Sequence, residues 1–132
     1  MNSNTQVREA VVSHLRDRLP MEMGITVFDT WTIIDADEDT PAVMVYQDNG
    51  DLSEDYLDQG EKYDGILQIS IYVKGSSSDA DLDVIGEAIK EALPQGWRSP
   101  NVCRVFRNAF QYERAEGGAY RALHLTHPYK SE

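Results

Sequence analysis

The eleven residues from Tyr63 to Val73 alternate in a way that suits a β-strand with one buried side. Tyr63, Leu67, Ile69, Ile71 and Val73 share one face with Gly65; Asp64, Gln68, Ser70 and Lys74 fall on the other, where Ile66 and Tyr72 are the apolar exceptions. A period of two held over this length predicts a strand covering a core, and its register is strongly specified because a one-residue slip would invert every side chain. Ahead of it, Ala42-Val43-Met44-Val45-Tyr46 is short, apolar and rich in β-formers, and reads as a buried strand entered at Pro41. Between the two, residues 47–62 carry Asp48, Asp51, Glu54, Asp55, Asp58 and Glu61 against Lys62 alone. That stretch reads as a loop, and a loop of such length in a compact domain is functional or disordered. We expect a functional loop. Only Tyr56 and Leu57, with Leu52 a lesser third, offer it large apolar side chains, so it should be mobile in the free subunit.

The flanking sequence supplies two helices and more strands. Residues 5–19 carry Val7, Val11, Leu15 and Leu19 on one stripe, with Ala10 and His14 beside it, Ser3 and Gln6 placed for a capping box and Pro20 at the exit. His14 reads as a half-buried packing residue. Ile25–Phe28 reads as a short strand, which Trp31–Ile34 continues or returns, before a polar turn at Asp35–Asp39. A second helix is expected over residues 79–93, with Leu82, Ile85, Ile89 and Leu93 inward and Ser78 as N-cap with Asp81 three residues on. Pro94, Gly96 and Pro100 mark the connection out of it. Val102–Tyr112 and Ala119–His127 are strand-like, and Ala115-Glu116-Gly117-Gly118 between them suits a hairpin. The expected fold class is therefore α+β: a mainly antiparallel, mixed sheet with two helices packed on one face, in one domain spanning residues 1–132.

Chemistry is sparse. Asp35-Ala36-Asp37-Glu38-Asp39 has the spacing of a calcium loop, but Thr40 stands where the loop needs Gly and Tyr46 where it needs Glu. Asp79, Asp81 and Asp83 repeat the spacing, yet acids in a first helical turn are explained by the helix dipole. His124 and His127 fall on opposite faces of a strand and are badly placed to share a metal. There is no nucleophile elbow, no phosphate loop and no zinc pattern, so no catalytic, cofactor-binding or metal residues are assigned. Cys103 is a single cysteine on an apolar strand and reads as a packed residue in a reducing compartment. No apolar run approaches the ~18 residues of a membrane span, and the polar start Met1-Asn2-Ser3-Asn4 is not expected to be a signal peptide.

Charge carries more. The net charge of −11 opposes binding to nucleic acid or an anionic membrane. It is also segregated: residues 29–64 hold twelve acids and one base, while residues 97–130 hold six bases (Arg98, Arg104, Arg107, Arg114, Arg121 and Lys130) and two acids. A chain with one sign in each region can offer complementary surfaces to copies of itself, and such head-to-tail contacts close into rings or run on as filaments. Two solvated faces that merely differ would explain the same pattern.

In sequence order, Val7-Arg8-Glu9-Ala10-Val11-Val12, Val27-Phe28-Asp29, Pro41 to Tyr46, Glu54-Asp55-Tyr56-Leu57-Asp58, Tyr72-Val73, Ser78 to Asp83 and Tyr112-Glu113-Arg114 resemble the minor tail protein U (tail terminator) family of lambda-type bacteriophages. The likeness spans nearly the whole chain. It departs at the C-terminal end, where the hairpin turn is short and the strands are more basic. The resemblance implies a structural, non-enzymatic protein of the virion tail, assembled in the host cytoplasm. Its hexameric ring would cap the tail tube protein, stop polymerisation and present a surface to a head–tail connector protein. It implies no catalytic residues and gives the acidic loop a role as a contact surface. Interface residues are then expected at Asp48, Asp51, Glu54, Asp55, Tyr56, Leu57 and Asp58 on one side, and at Arg104, Arg107, Arg114 and Arg121 on the other. Two other classes compete with this reading: an acidic cytosolic chaperone or adaptor binding one protein partner, and a metal-dependent hydrolase built on Asp35–Asp39.

Overall fold

The structure, a computed structural model, describes residues 3–52 and 63–132. Its elements in order are α1 (Ser3–Arg18), β1 (Thr26–Phe28), β2 (Ala42–Leu52), β3 (Tyr63–Lys74), α2 (Asp79–Ala92), β4 (Trp97–Ser99), β5 (Cys103–Val105), β6 (Ala109–Arg114) and β7 (Tyr120–Ser131). The seven strands form one sheet in the order β1-β2-β3-β7-β5-β4, with β6 also paired to β7. Only β1 and β2 run parallel; the remaining pairs are antiparallel. With two helices on one face, the fold class is the α+β one read from the sequence.

Alternation sorts the side chains as the sequence requires. Val43, Val45, Leu67, Ile69, Ile71, Val73, Leu123, Leu125 and Tyr129 form one core with Val7, Val11 and Leu15 of α1 and Leu82, Ile85 and Ile89 of α2. Each fully buried Leu or Ile contributes about 1.5–3 kcal/mol relative to exposure. Helix α2 opens on a reciprocal cap: Ser78 Oγ accepts from Asp81 N at 3.3 Å and Asp81 Oδ2 accepts from Ser78 N at 2.9 Å. His14 is half-buried, its Nε2–H donating to Ala92 O at 2.6 Å and its ring lying 4.6 Å from Trp97, which ties α1 to the far end of α2. The proposed Ser3 cap rests on a side chain outside those described.

Four expectations about elements change. First, β2 does not stop at Tyr46. It continues to Leu52 along β3, from Gln47↔Leu67 to Leu52↔Tyr63, with a bulge between Gln47 and Asn49. A partner strand provides the hydrogen bonds that polar residues 47–52 would otherwise seek from water, so pairing overrides composition. The mobile loop expected over residues 47–62 is thus corrected at residues 47–52, and residues 53–62 lie outside the described residues. Second, Trp31–Ile34 joins no ladder; it crosses the outer face of the sheet over Met44, Tyr72 and Tyr120. Third, Val102–Tyr112 is two strands. Phe106 N donates to Pro128 O at 2.8 Å, so Pro128 turns its backbone polar side toward this segment, and it has no N–H to give there. The ladder breaks at that point, with β5 pairing Tyr129–Ser131 and β6 pairing Arg121–Thr126. Fourth, Trp97–Ser99 adds a strand, and β7 runs four residues past His127 to Ser131.

Two glycines are required by close approach. A Cβ on Gly65 would lie 2.6 Å from the Tyr129 hydroxyl, and one on Gly75 would lie 1.6 Å from the Gly118 carbonyl oxygen. The first obstacle is a side chain that accepts from Gln47 Nε2 and donates to Asn4 Oδ1, each at 3.1 Å; the second is backbone. Gly65→Ala should therefore destabilise by about 1–3 kcal/mol, and Gly75→Ala by more, because the turns before α2 and after β6 must separate. Urea midpoints check this; equal midpoints for the two variants and the parent would refute it.

His127 is buried with no exposed surface, Nδ1–H donating to Leu125 O at 3.1 Å and Nε2 meeting no hydrogen-bond partner among the described residues. Burial pulls its pKa from 6.5 down to about 4. Between those values the unfolded chain binds a proton that the folded chain refuses. The stability present above pH 6.5 is therefore lost as pH falls toward 4, by about 3 kcal/mol in all. The Asp79 and Glu113 carboxyls are held below their ordinary values by hydrogen bonds from Arg114 and His124, so their share is lost only at lower pH. Unfolding free energies at pH 7 and pH 4.5 should differ by about 2 kcal/mol less in His127→Leu than in the parent; an unchanged difference would locate the slope elsewhere.

Candidate assembly surfaces

The outer face of the sheet carries a chain of polar contacts. Register sets Ser70 opposite His124, and the neighbouring strands bring Tyr46 and Glu113 to either side. Tyr46 OH and Ser70 Oγ are 3.1 Å apart, Ser70 Oγ and His124 Nδ1 2.6 Å, His124 Nε2 and Glu113 Oε1 2.8 Å, and Tyr120 OH donates to Glu113 Oε2 at 2.9 Å. Tyr72 packs edge-on against Tyr120 and His124, and its own burial first, then nearby Tyr46 and Glu113, push its hydroxyl up to about 12. Serine, histidine and carboxylate stand in the order of a nucleophile relay, but Ser70 has no exposed surface and shares its hydroxyl with Tyr46. No substrate carbonyl could reach it, so the chain holds strands together and performs no acyl transfer. Sequence reading missed this group because only the register makes Ser70 and His124 neighbours.

The arginines expected at an interface are placed in different settings. Arg114 and Arg121 bracket Asp79 at the start of α2, Arg121 Nη1 lying 3.1 Å from its Oδ1. The hydrogen bond from Arg114 leads in holding the Asp79 carboxyl below its usual range. Arg107 donates from Nη1 to Leu93 O at 2.9 Å, closing the C-terminal end of α2. Arg104 lies on β5, 3.8 Å from Glu132, which Arg98 holds at 2.6 Å. On the acidic side, the backbone of Asp48 and Asp51 belongs to β2. Glu54, Asp55, Tyr56, Leu57 and Asp58, like the side chains of Asp48 and Asp51, lie outside the described residues.

The Asp35–Asp39 turn uses its carboxylates on itself: Asp39 Oδ2 accepts from Asp35 N at 2.7 Å and Asp35 Oδ1 accepts from Asp37 N at 2.9 Å. Among the described residues no three of His, Cys, Asp or Glu gather as a metal site would require, and no helix is long and apolar enough to cross a membrane. Burial pushes the Cys103 thiol up to about 11, which keeps it protonated at neutral pH.

What the surface does offer is apolar. Trp31 is 57% exposed, Ile33 86% and Phe110 69%. The segment around Trp31 and Ile33 is rimmed by Asp29, Asp35, Asp37, Glu38 and Asp39 with no base among residues 29–39. At the opposite end of the outer face, Ile66, Pro128 and Phe106 floor a hollow of about 460 Å3 edged by Asn49, Asp64 and Lys130. Exposed apolar patches rimmed by polar residues are candidate contact surfaces.

Comparison with known proteins agrees with that character. The sequence matches the family described as phage minor tail protein U over residues 2–128. No curated protein matches it in sequence. Among solved structures, a chain of the "Virion of native gene transfer agent (GTA) particle" has the same fold at a TM-score of 0.66 and 17% identity, covering 93% of this chain and 92% of that one. With a match that spans both helices and nearly all of the sheet, this chain belongs to the phage minor tail protein U family and is a structural component of a phage-type virion tail.

Proposed function

We propose that the chain, as one tail-terminator-like domain over residues 1–132, closes into a hexameric ring that caps the tail tube, stops its polymerisation and offers the surface on which the head is joined. The family match over residues 2–128 carries this reading. Charge supports it: a block of twelve acids and one base and a block of six bases and two acids suit head-to-tail contact between identical subunits. Exposed ion pairs are each worth only about 0–1 kcal/mol, so charge would orient the subunits and apolar contact would hold them. In this reading Arg104, Arg107, Arg114 and Arg121 form the basic side. Asp48, Asp51 and the residues Glu54–Asp58 form the acidic side and reach toward the tube protein, with Tyr56 and Leu57 as apolar anchors. The head–tail connector protein meets the other end of the ring. Assembly takes place in the host cytoplasm before the tail joins the head.

The first test is mass. Light scattering across a wide range of protein concentration should reach a plateau at about six times the 14.9 kDa subunit. A monomeric or dimeric mass at every concentration, with and without magnesium, would overturn the ring and favour a dimeric adaptor. The second test separates the acidic residues 54–58 from the sheet. Because β2 and β3 are paired as far as Leu52 and Tyr63, replacing only residues 54–58 with glycine and serine should leave the fold unchanged. In an infection complemented with that variant, tubes should grow beyond their normal length. Tails of normal length that still join heads would remove residues 54–58 from the mechanism.

A further inference from the structure

One strand has an open edge, and one segment outside the sheet looks like a strand. Strand β6 pairs with β7 on one side, and among the described residues nothing pairs with its other edge. Ala115 N donates to Tyr120 O at 3.0 Å, which directs the backbone of alternate residues (115, 113 and 111) at β7. Alternation then turns the N–H and C=O groups of Arg114, Tyr112 and Phe110 outward. On the helix side of that open edge, Gly86, Leu123 and Leu125 floor a groove of about 260 Å3 between α2 and β6, walled by Phe110 and Tyr112.

The segment Asp29–Asp35 has the complementary character. Its residues Trp31-Thr32-Ile33-Ile34 are strand formers, and their burial alternates: Trp31 and Ile33 are exposed while Thr32 and Ile34 are half-buried on the segment's own subunit. It nevertheless takes part in no ladder. An alternating, β-branched and aromatic segment with two large apolar side chains in water is a conflict between local sequence and isolated fold, and such conflicts mark contact surfaces.

We propose that the segment Asp29–Asp35 of one copy adds as an antiparallel strand to the outer edge of β6 in the next copy, forming the lateral contact of the ring. The inference rests on the ring reading above. One register satisfies every feature at once, with Asp29 opposite Arg114, Trp31 opposite Tyr112, Ile33 opposite Phe110 and Asp35 opposite Asn108, beside Arg107. Trp31 and Ile33 then cover Tyr112 and Phe110 on the side of the groove, since directly opposed residues share a face. Thr30 meets Glu113 and Thr32 meets Gln111 on the polar side. The two acids that bracket the segment meet the two arginines that bracket β6; Arg114, more than half-exposed, is already shared with Asp79. Main-chain bonds give the added strand its hold and the alternate side chains give it register, as in other strand-addition contacts. The two surfaces lie on one chain but serve different neighbours, so the contact is heterologous and propagates until it closes.

Disulfide trapping tests the register without removing the apolar contacts. Opposed residues of an antiparallel pair have Cα atoms about 4.5–5.5 Å apart, within disulfide reach, and the native thiol of Cys103 is buried and does not compete. The double variant Thr32→Cys with Gln111→Cys should oxidise to covalent dimers and higher ladders on a denaturing gel. The control Thr32→Cys with Ala109→Cys, two residues out of register, should stay monomeric. In parallel, Ile33→Asp, at a site that contributes little to its own fold, should keep the melting temperature and weaken association about tenfold. Rings of the expected mass that give no in-register ladder would overturn this inference and leave the ring standing. Equal ladders from both double variants would overturn the register, and a chain that stays monomeric throughout would overturn both readings.

Discussion

The eleven opposed pairs between β3 and β7, from Asp64↔Lys130 to Lys74↔Tyr120, are the constraint on which the rest of the molecule depends. They join stretches more than forty residues apart in sequence and fix both faces of the sheet together. On the helix side, the register stacks Leu67, Ile69 and Ile71 against Leu123, Leu125 and the two helices. On the outer side, it sets Ser70 beside His124 and leaves Tyr72 between His124 and Tyr120. A slip by one residue would put Gln68, Ser70 and Tyr72 under the helices and the isoleucines in the open. Apolar burial and polar pairing thus select the same arrangement, which is how a sequence specifies one structure.

The polar chain on the outer face works mainly by making alternatives expensive. A buried hydroxyl or imidazole left without its partner costs about 1–3 kcal/mol, whereas the bonds themselves contribute less on balance. Tyr46, Ser70, His124, Glu113 and Tyr120 come from β2, β3, β6 and β7, so no one of these strands can shift without leaving a partner unmet. Segment 29–41 roofs the neighbouring end of the same face, where Ala42, Met44 and Ala122 are fully buried. One side of the sheet is held by oil and the other by a combination of roof and network.

Local periodicity made much of this legible in the sequence. The alternation of Tyr63–Val73, the stripes of both helices, the Ser78–Asp81 cap and the hairpin at Ala115–Gly118 are each written in neighbouring residues, and each is present. What could not be read depends on partners far along the chain. Residues 47–52 look like a loop until residues 63–67 pair with them. The break between β5 and β6 follows from which side of β7 lacks the proline N–H, and no single-strand pattern reveals a side. The arginines raised the same difficulty: their number and segregation were plain, but that Arg114 and Arg121 meet at Asp79, and that Arg107 closes α2, are facts of tertiary geometry. The family, in contrast, was legible because it is carried by the order of many weak motifs, none of which needs a contact to be recognised.

The two ends of the sheet are strands of only three residues, β1 and β4. A bare sheet edge is a template for indefinite stacking into fibrils, and its danger grows with its length and flatness. Strands this short offer a stranger only a few backbone bonds, too few to repay the entropy of ordering a long segment against them. The sheet is thereby finished by brevity at β1 and β4, and the longer edge left open among the described residues is the outer one of β6.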